Sequence, residues 1–300
     1  MNRSVAVANG KGGVGKTSTA CNLAGLTAAS GARVLVIDSD PQGHVALNFG
    51  YDIERQTDQG ASMLKAVLTG GLPDVTKDVR PNLDVIWGGE QLEELAIHLN
   101  VRRMSGRGGA GAYSETIKAI AAQYDFVFVD CPPGGHILQE GVFGAARWVL
   151  VPAKTDKGSL AGLRDIARRF DVAHEINPDL ELLGVFLFGT QSSARRVIRE
   201  ARADILKELE GLDDSIVLTS FIRQVEAAAR DEREMGLLAH ELEAAAEEAE
   251  PWYVQRQNGK SDALVVARSS SSLAGDYSEL AREVHDRIAK AEALLAGTSA

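Results

Sequence analysis

Cysteine is scarce: 300 residues contain two, Cys21 and Cys131. Two such residues make neither a paired metal-ligand motif nor a disulfide framework, which agrees with a reducing compartment and with two small buried side chains. Long apolar runs are missing as well. No stretch approaches the roughly 18 uninterrupted apolar residues of a membrane span, and the N-terminus enters a β-rich segment without an apolar signal region. A soluble, cytoplasmic protein is expected. Positive charge is in deficit, with 32 Lys and Arg against 42 Asp and Glu and a formal net charge of −10. That argues against a chain coated in basic surface. It leaves room for a local basic patch, because exposed charges are screened within roughly 10 Å at 0.1 M salt. No internal repeat is found.

Core material is present in quantity, since 45% of the residues are hydrophobic. Short β-rich runs alternate with helical patterns, the signature of parallel βαβ units. The expected strands are 4–9, 33–38, 83–87, 126–130, 148–153 and 182–189. Helices are expected at 17–29, 115–122 and 160–176, the last with Leu163, Ile166, Phe170 and Ala173 on one face. The fold class is therefore α/β: a doubly wound, mostly parallel sheet with helices on both faces, in a single domain spanning 1–300. "SGRGGAG" (105–111) reads as a flexible loop and "ELEAAAEEAE" (241–250) as an acidic helix with little to bury. A last helix from about 276 to 295 carries Tyr277, Leu280, Val284 and Ile288 at helical spacing and is expected to pack on the body.

The stretch "NGKGGVGKTST" (9–19) follows the first strand and opens a helix. That is the context a phosphate-binding loop requires. Glycines allow successive N–H groups to point inward, and the helix N-terminus adds partial positive charge. The cradle comprises Lys11, Gly12, Gly13, Val14, Gly15, Lys16, Thr17 and Ser18. Lys16 is expected to reach the β- and γ-phosphates of a nucleotide, and the Thr17 hydroxyl to ligate Mg²⁺. Two further segments supply carboxylates where such a site needs them. Asp38 and Asp40 close the second strand in "VIDSDPQG", and Asp130 closes "FVFVDCPPG". In a parallel sheet these ends line the crevice beside the loop. Asp38 and Asp130 are assigned to the Mg²⁺ shell, and Asp40 to orienting the attacking water.

In this order and spacing, "KGGVGKT", "VIDSDPQG" and "FVFVDCPPG" resemble the deviant Walker A, switch-like and Walker B motifs of the ParA/MinD family of P-loop ATPases. The likeness is greater to ParA-type DNA-partition ATPases. It extends through "VFGAARWVLVPAKTDKGSLAGL" (142–163) and thins beyond about residue 230, leaving 236–300 as a less family-like helical elaboration. The resemblance implies that Lys11 is the signature lysine, reaching across an ATP-sandwich homodimer to the partner's phosphates. It further implies slow ATP hydrolysis stimulated by a ParB-like centromere-binding partner, and a cytoplasmic, nucleoid-associated protein that segregates a plasmid or chromosome. Departures from the pattern are "IRQ" (222–224) where such proteins commonly have Pro-Arg-Asn, and Gly10 where glutamine is usual. A helix-turn-helix extension ahead of the loop, as in larger ParA proteins, is not expected.

The segment "SSARRVIREARADILKEL" (192–209) holds Arg195, Arg196, Arg199 and Arg202, of which 195, 199 and 202 share a helical stripe. Arginine is a planar donor fork suited to phosphate. Arg223 and Arg230 could extend the patch, and the resemblance implies a non-specific grip on double-stranded DNA. Glu200 and Asp204 on the same helix support the competing reading of a solvated, internally paired face. Three other functions stay open. A MinD-like membrane or cargo-positioning device would need a basic amphipathic C-terminal helix, whereas 276–295 carries Glu279, Glu283 and Asp286. A cluster-bearing reductase would need Cys21 at a shared surface rather than in the helix after the loop. A non-hydrolysing ATP-binding scaffold would lack partner-stimulated phosphate release.

Overall fold

The computed structural model describes residues 3–134, 137–190, 195–209, 212–248 and 270–298. Among them, eight strands form one sheet: β1 (Ser4–Val7), β2 (Val34–Asp38), β3 (Thr76–Arg80), β4 (Leu83–Ile86), β5 (Phe126–Asp130), β6 (Trp148–Ala153), β7 (Glu181–Thr190) and β8 (Val217–Arg223). Their order is β3-β4-β2-β5-β1-β6-β7-β8. All neighbours run parallel except β3 and β4, which pair antiparallel at one edge. The chain is thus the expected mostly parallel α/β fold.

Helices follow the strands as α1 (Lys16–Ala29), α2 (Val45–Asn48), α3 (Ile53–Gln56), α4 (Ala61–Thr69), α5 (Gln91–Met104), α6 (Gly111–Ala121) and α7 (Ile137–Ala145). The second half adds α8 (Lys157–Ile176), α9 (Arg195–Glu208), α10 (Glu226–Met235), α11 (Ala239–Glu248) and α12 (Ser270–Thr298). Alternating side chains of a strand point to opposite faces, and this divides the core in two. Val34, Val36, Val85 and Phe128 pack with Leu23 of α1, Ala239 of α11, and Tyr277, Leu280, Val284 and Ile288 of α12. Leu35, Ile37, Ile86, Val127 and Val129 pack on the other face with Leu95 of α5, Ile117 of α6, Phe143 of α7 and Leu163 of α8. Near-continuous apolar strands are what a sheet covered on both faces demands.

The anticipated strands and helices lie where they were expected, and the C-terminal helix is longer, Ser270–Thr298. Its stripe is fully inside the core, and burying Leu280, Val284 and Ile288 is worth about 1.5–3 kcal/mol each. Two strands went unanticipated. β3 is a short, charged edge strand with a register shift, and its Asp78 has a φ of 52°. β8 (Val217–Arg223) is the other, and the sequence reading touches it only at "IRQ" (222–224) and Arg223. The acidic helix is more specific than its composition suggests: Glu241 receives Arg80 at 2.6 Å and ties α11 to β3. No helix among the described residues is long and apolar enough to cross a membrane.

One carboxylate fastens α12 to β8. Glu283 accepts the backbone N–H of Thr219 at 3.0 Å and of Ser220 at 2.8 Å, both of their hydroxyls, and Arg287. Although burial works against the charged form, the donors from Ser220 and Thr219 outweigh it and hold the Glu283 carboxyl down at about 2. A group whose folded value is depressed contributes stability above its unfolded value, here near the ordinary 4.5, and loses it as pH falls through the folded one. Glu283→Gln is therefore expected to lower unfolding free energy at pH 7 by about 1–3 kcal/mol. In urea titrations the gap between wild type and variant should close between pH 5 and about pH 2. A gap constant with pH would contradict the assignment.

Candidate functional site

The order of strands reverses at β1, which lies between β5 and β6, and such a reversal opens a crevice at the carboxyl ends of the strands. Register fixes what lines it. Val7 of β1 is level with Asp130 of β5, and Asp130 is level with Asp38 of β2. The loop after β1 therefore rises directly beside two carboxylates.

That loop is built from a buried asparagine outward. Asn9 donates its amide to the Pro152 carbonyl at 2.7 Å and accepts the Lys11 N–H at 2.8 Å, so it anchors the loop to β6. Gly12 and Gly13 face solvent, Val14 is fully buried, and Gly15 caps α1 with a φ of 84°. A Cβ at Gly15 would lie 2.2 Å from the Phe188 ring, so glycine is required there twice over. Lys16 is buried and folds back to donate to the Lys11 carbonyl at 3.1 Å. Ser18 lines a cavity of ≈ 120 Å³ next to the loop, with Phe188, Ile222, Gln224 and Tyr277.

Thr17 donates its hydroxyl to Asp130 Oδ2 at 2.6 Å. The other oxygen, Oδ1, is buried and has no hydrogen-bond partner among the described residues. Burial raises the Asp130 carboxyl well above the ordinary carboxylate range. Asp40 adds to the rise, while Thr17 and Lys16 oppose it. Asp38 is likewise raised by burial and by the charge of Asp130. Asp38, Asp40 and Asp130 thus feel one another's charge, with Lys16 as a nearby cation. An orphaned carboxylate oxygen beside a threonine hydroxyl is a donor set that fits a hard divalent cation such as Mg²⁺.

Asp38 has a further occupation. Its two oxygens accept the N–H groups of Asp40 at 2.9 Å and Val45 at 3.1 Å, which shapes the turn after β2. Asp40 itself accepts Gln42 N–H at 2.9 Å and stays almost buried.

The two lysines of the loop differ sharply. Lys11 pairs with Asp156 Oδ1 at 2.6 Å, with its side chain 37% exposed. Asn9 and Asp156 escaped the sequence reading. Asn9 stood as a strand terminus and Asp156 as one residue among many in "PAKTDKG", and only the fold brings them to the loop.

The arginines do not form the expected stripe. Arg202 turns inward and donates to the carbonyls of Val217 and Leu218 on β8, the last strand of the sheet among the described residues. Arg223 is spent on Asp276, 2.6 Å away, and on the Ser272 carbonyl. Both assignments to a solvent-facing patch are corrected accordingly. Arg196 and Arg199 remain exposed on α9, Arg196 paired with Glu200 at 2.7 Å, and Arg230 is exposed on α10 with Glu234 at 2.6 Å. The side chain of Arg195 lies outside the described residues.

Comparison with known proteins agrees with this geometry. Residues 2–182 match a family described as an AAA domain. The chain is 37% identical over 211 residues to the chromosome partitioning protein ParA of Caulobacter vibrioides, covering 67% of this chain and 76% of that protein. Among solved structures, McdA of Cyanothece in complex with ATP superposes with a TM-score of 0.67 at 22% identity, over 88% of this chain and 98% of that one. A cobyrinic acid a,c-diamide synthase from Mycobacterium smegmatis, with bound ADP and magnesium, gives 0.63 at 27% identity, over 79% and 93%.

Proposed function

The chain belongs to the ParA/MinD family of deviant Walker A P-loop ATPases, on its ParA side, and on that premise we propose that it segregates DNA by ATP-dependent dimerisation, non-specific DNA binding and partner-stimulated hydrolysis. The observation that carries the proposal is the division of labour between the loop lysines. Lys16 is buried in its own cradle, whereas Lys11 is partly exposed and held by an exposed acid. A lysine that does not serve its own phosphates is available to a second subunit's. Dimerisation then depends on the γ-phosphate, which makes ATP a switch.

The roles within one subunit follow from position. Backbone N–H groups of residues 11–16 and the α1 N-terminus bind the phosphates. Lys16 exchanges its bond to the Lys11 carbonyl for β- and γ-phosphate oxygens. The cavity beside Ser18 takes the base. Thr17 and Asp130 would hold Mg²⁺, which when bound neutralises phosphate charge and relieves the buried carboxylate. Asp40 orients the attacking water from the turn that Asp38 shapes. Hydrolysis is slow until a ParB-like partner completes the arrangement.

On this reading the protein works in the cytoplasm on the nucleoid. A membrane-anchored alternative is disfavoured by α12, whose apolar stripe of Tyr277, Leu280, Val284 and Ile288 is already buried in the core.

Two experiments test the proposal. Lys16→Ala should abolish ATP binding, while Lys11→Ala should bind ATP and remain monomeric by light scattering. An ATP-induced dimer of the Lys11 variant would contradict the trans role. For DNA, Arg196 and Arg199 are the exposed arginines of α9 among the side chains described. ATP-bound protein should bind unrelated duplexes alike, with affinity falling steeply as salt rises through counterion release. Arg199→Glu places a repulsive charge twice per dimer. It should weaken binding and flatten the salt slope while ATP-driven dimerisation persists, and unchanged affinity would move the DNA surface away from α9.

A further inference from the structure

Between the two aspartates of the turn after β2 sits Ser39, and alternation sends its side chain to the face opposite theirs. Ile37 packs in the core beneath α5 to α8, and Ser39 points the same way. There it meets Tyr113 of α6: Ser39 Oγ and Tyr113 Oη share a hydrogen bond of 2.5 Å, and both residues are fully buried. The backbone of Ser39 is also fixed, since its N–H donates to the Asp130 carbonyl at 2.9 Å. The residue on which the turn pivots is thus pinned from the Asp130 strand and from α6.

The tyrosine ring has no freedom to wander. Gly141 of α7 makes the space for it, because a Cβ at that position would lie 2.6 Å from Tyr113 Cδ1. Ser114, the next residue, donates to the Gly141 carbonyl at 2.8 Å and locks α6 to α7. α7 is the helix that follows the Asp130 strand, so one aromatic side chain is registered against the Asp130 side and grips the Asp38–Asp40 turn.

Resting on the ATPase reading above, we propose that Tyr113 is a positioning residue for hydrolysis, acting through the Ser39 hydroxyl to hold Asp40 where it orients water. The phosphate loop takes no part in this contact, so nucleotide binding and hydrolysis separate. Displacement of a reacting group by about 1 Å can reduce turnover on the order of 100-fold. Loss of one hydrogen bond from a turn that keeps its backbone contacts should cost less.

Tyr113→Phe deletes the hydroxyl and keeps the ring that fills the core, and Ser39→Ala removes the other half of the same contact. Each is expected to lower kcat about 10-fold while the KM for ATP and the affinity for a fluorescent ATP analogue stay within about twofold. The double variant should be no slower than either single one, because both remove one interaction. Unchanged kcat in the two folded single variants would overturn the inference and make the pair a core contact only. Analogue affinity falling in step with kcat would overturn it too, by showing a general loss of the site. A wild-type chain that hydrolyses no ATP would instead overturn the functional reading beneath it.

Discussion

A fully buried aspartate with one oxygen that no described residue hydrogen-bonds is the constraint on which this molecule turns. Asp130 ends the central strand β5, between the strand that feeds the phosphate loop and the strand that carries Asp38. Buried carboxylates are costly unless paired or hydrogen-bonded, yet here a second one lies level on the next strand, and Thr17 satisfies a single oxygen. The two buried carboxylates are therefore under electrostatic tension. On the proposed function, binding a cation and a polyanion together relieves it, the loop beside Asp130 offering backbone N–H groups, a helix N-terminus and Lys16 for the anion.

The fold supplies rigidity around that tension. β1, β2 and β5 are buried on both faces, so the carboxylates are fixed by register rather than by side-chain freedom. Asn9 ties the loop to β6, and Gly15 admits Phe188 against it. The part with room to change is the exposed one. Lys11 rests on Asp156 at the start of the segment leading into α8, and an exposed pair of this kind is worth little, about 0–1 kcal/mol. Such a contact is easily exchanged for a stronger anion. A buried, over-determined centre with a weakly held lysine at its rim is what a nucleotide-dependent association requires.

Much of this was legible in the residues. The phosphate loop is a local motif whose glycines have one physical use, and β2, β5 and β6 are apolar runs of strand length. What escaped depended on distant neighbours. Asp156 meets Lys11 across 145 residues and Ser39 meets Tyr113 across 74, and no local period announces either pairing. Arg202 sits at helical spacing with its neighbours, but whether an arginine faces solvent or an edge strand depends on where that strand lies. β8 went unread, so its carbonyls could not be matched with their donor. β3 failed for the opposite reason, since an edge strand tolerates Lys77, Asp78 and Arg80 and loses the apolar alternation that marks a strand.

The most direct measurement is urea unfolding of the wild-type chain and of Asp130→Asn, each alone and with Mg²⁺ and ATP together. The account predicts that the asparagine, by removing a buried charge, leaves the apo chain as stable as wild type or more so. It also predicts that the wild type gains markedly from Mg²⁺ with ATP and the variant gains little, since a ligand stabilises only the state it binds. An apo variant much less stable than wild type, or one stabilised equally by Mg²⁺ and ATP, would contradict the claim that Asp130 is held for the cation.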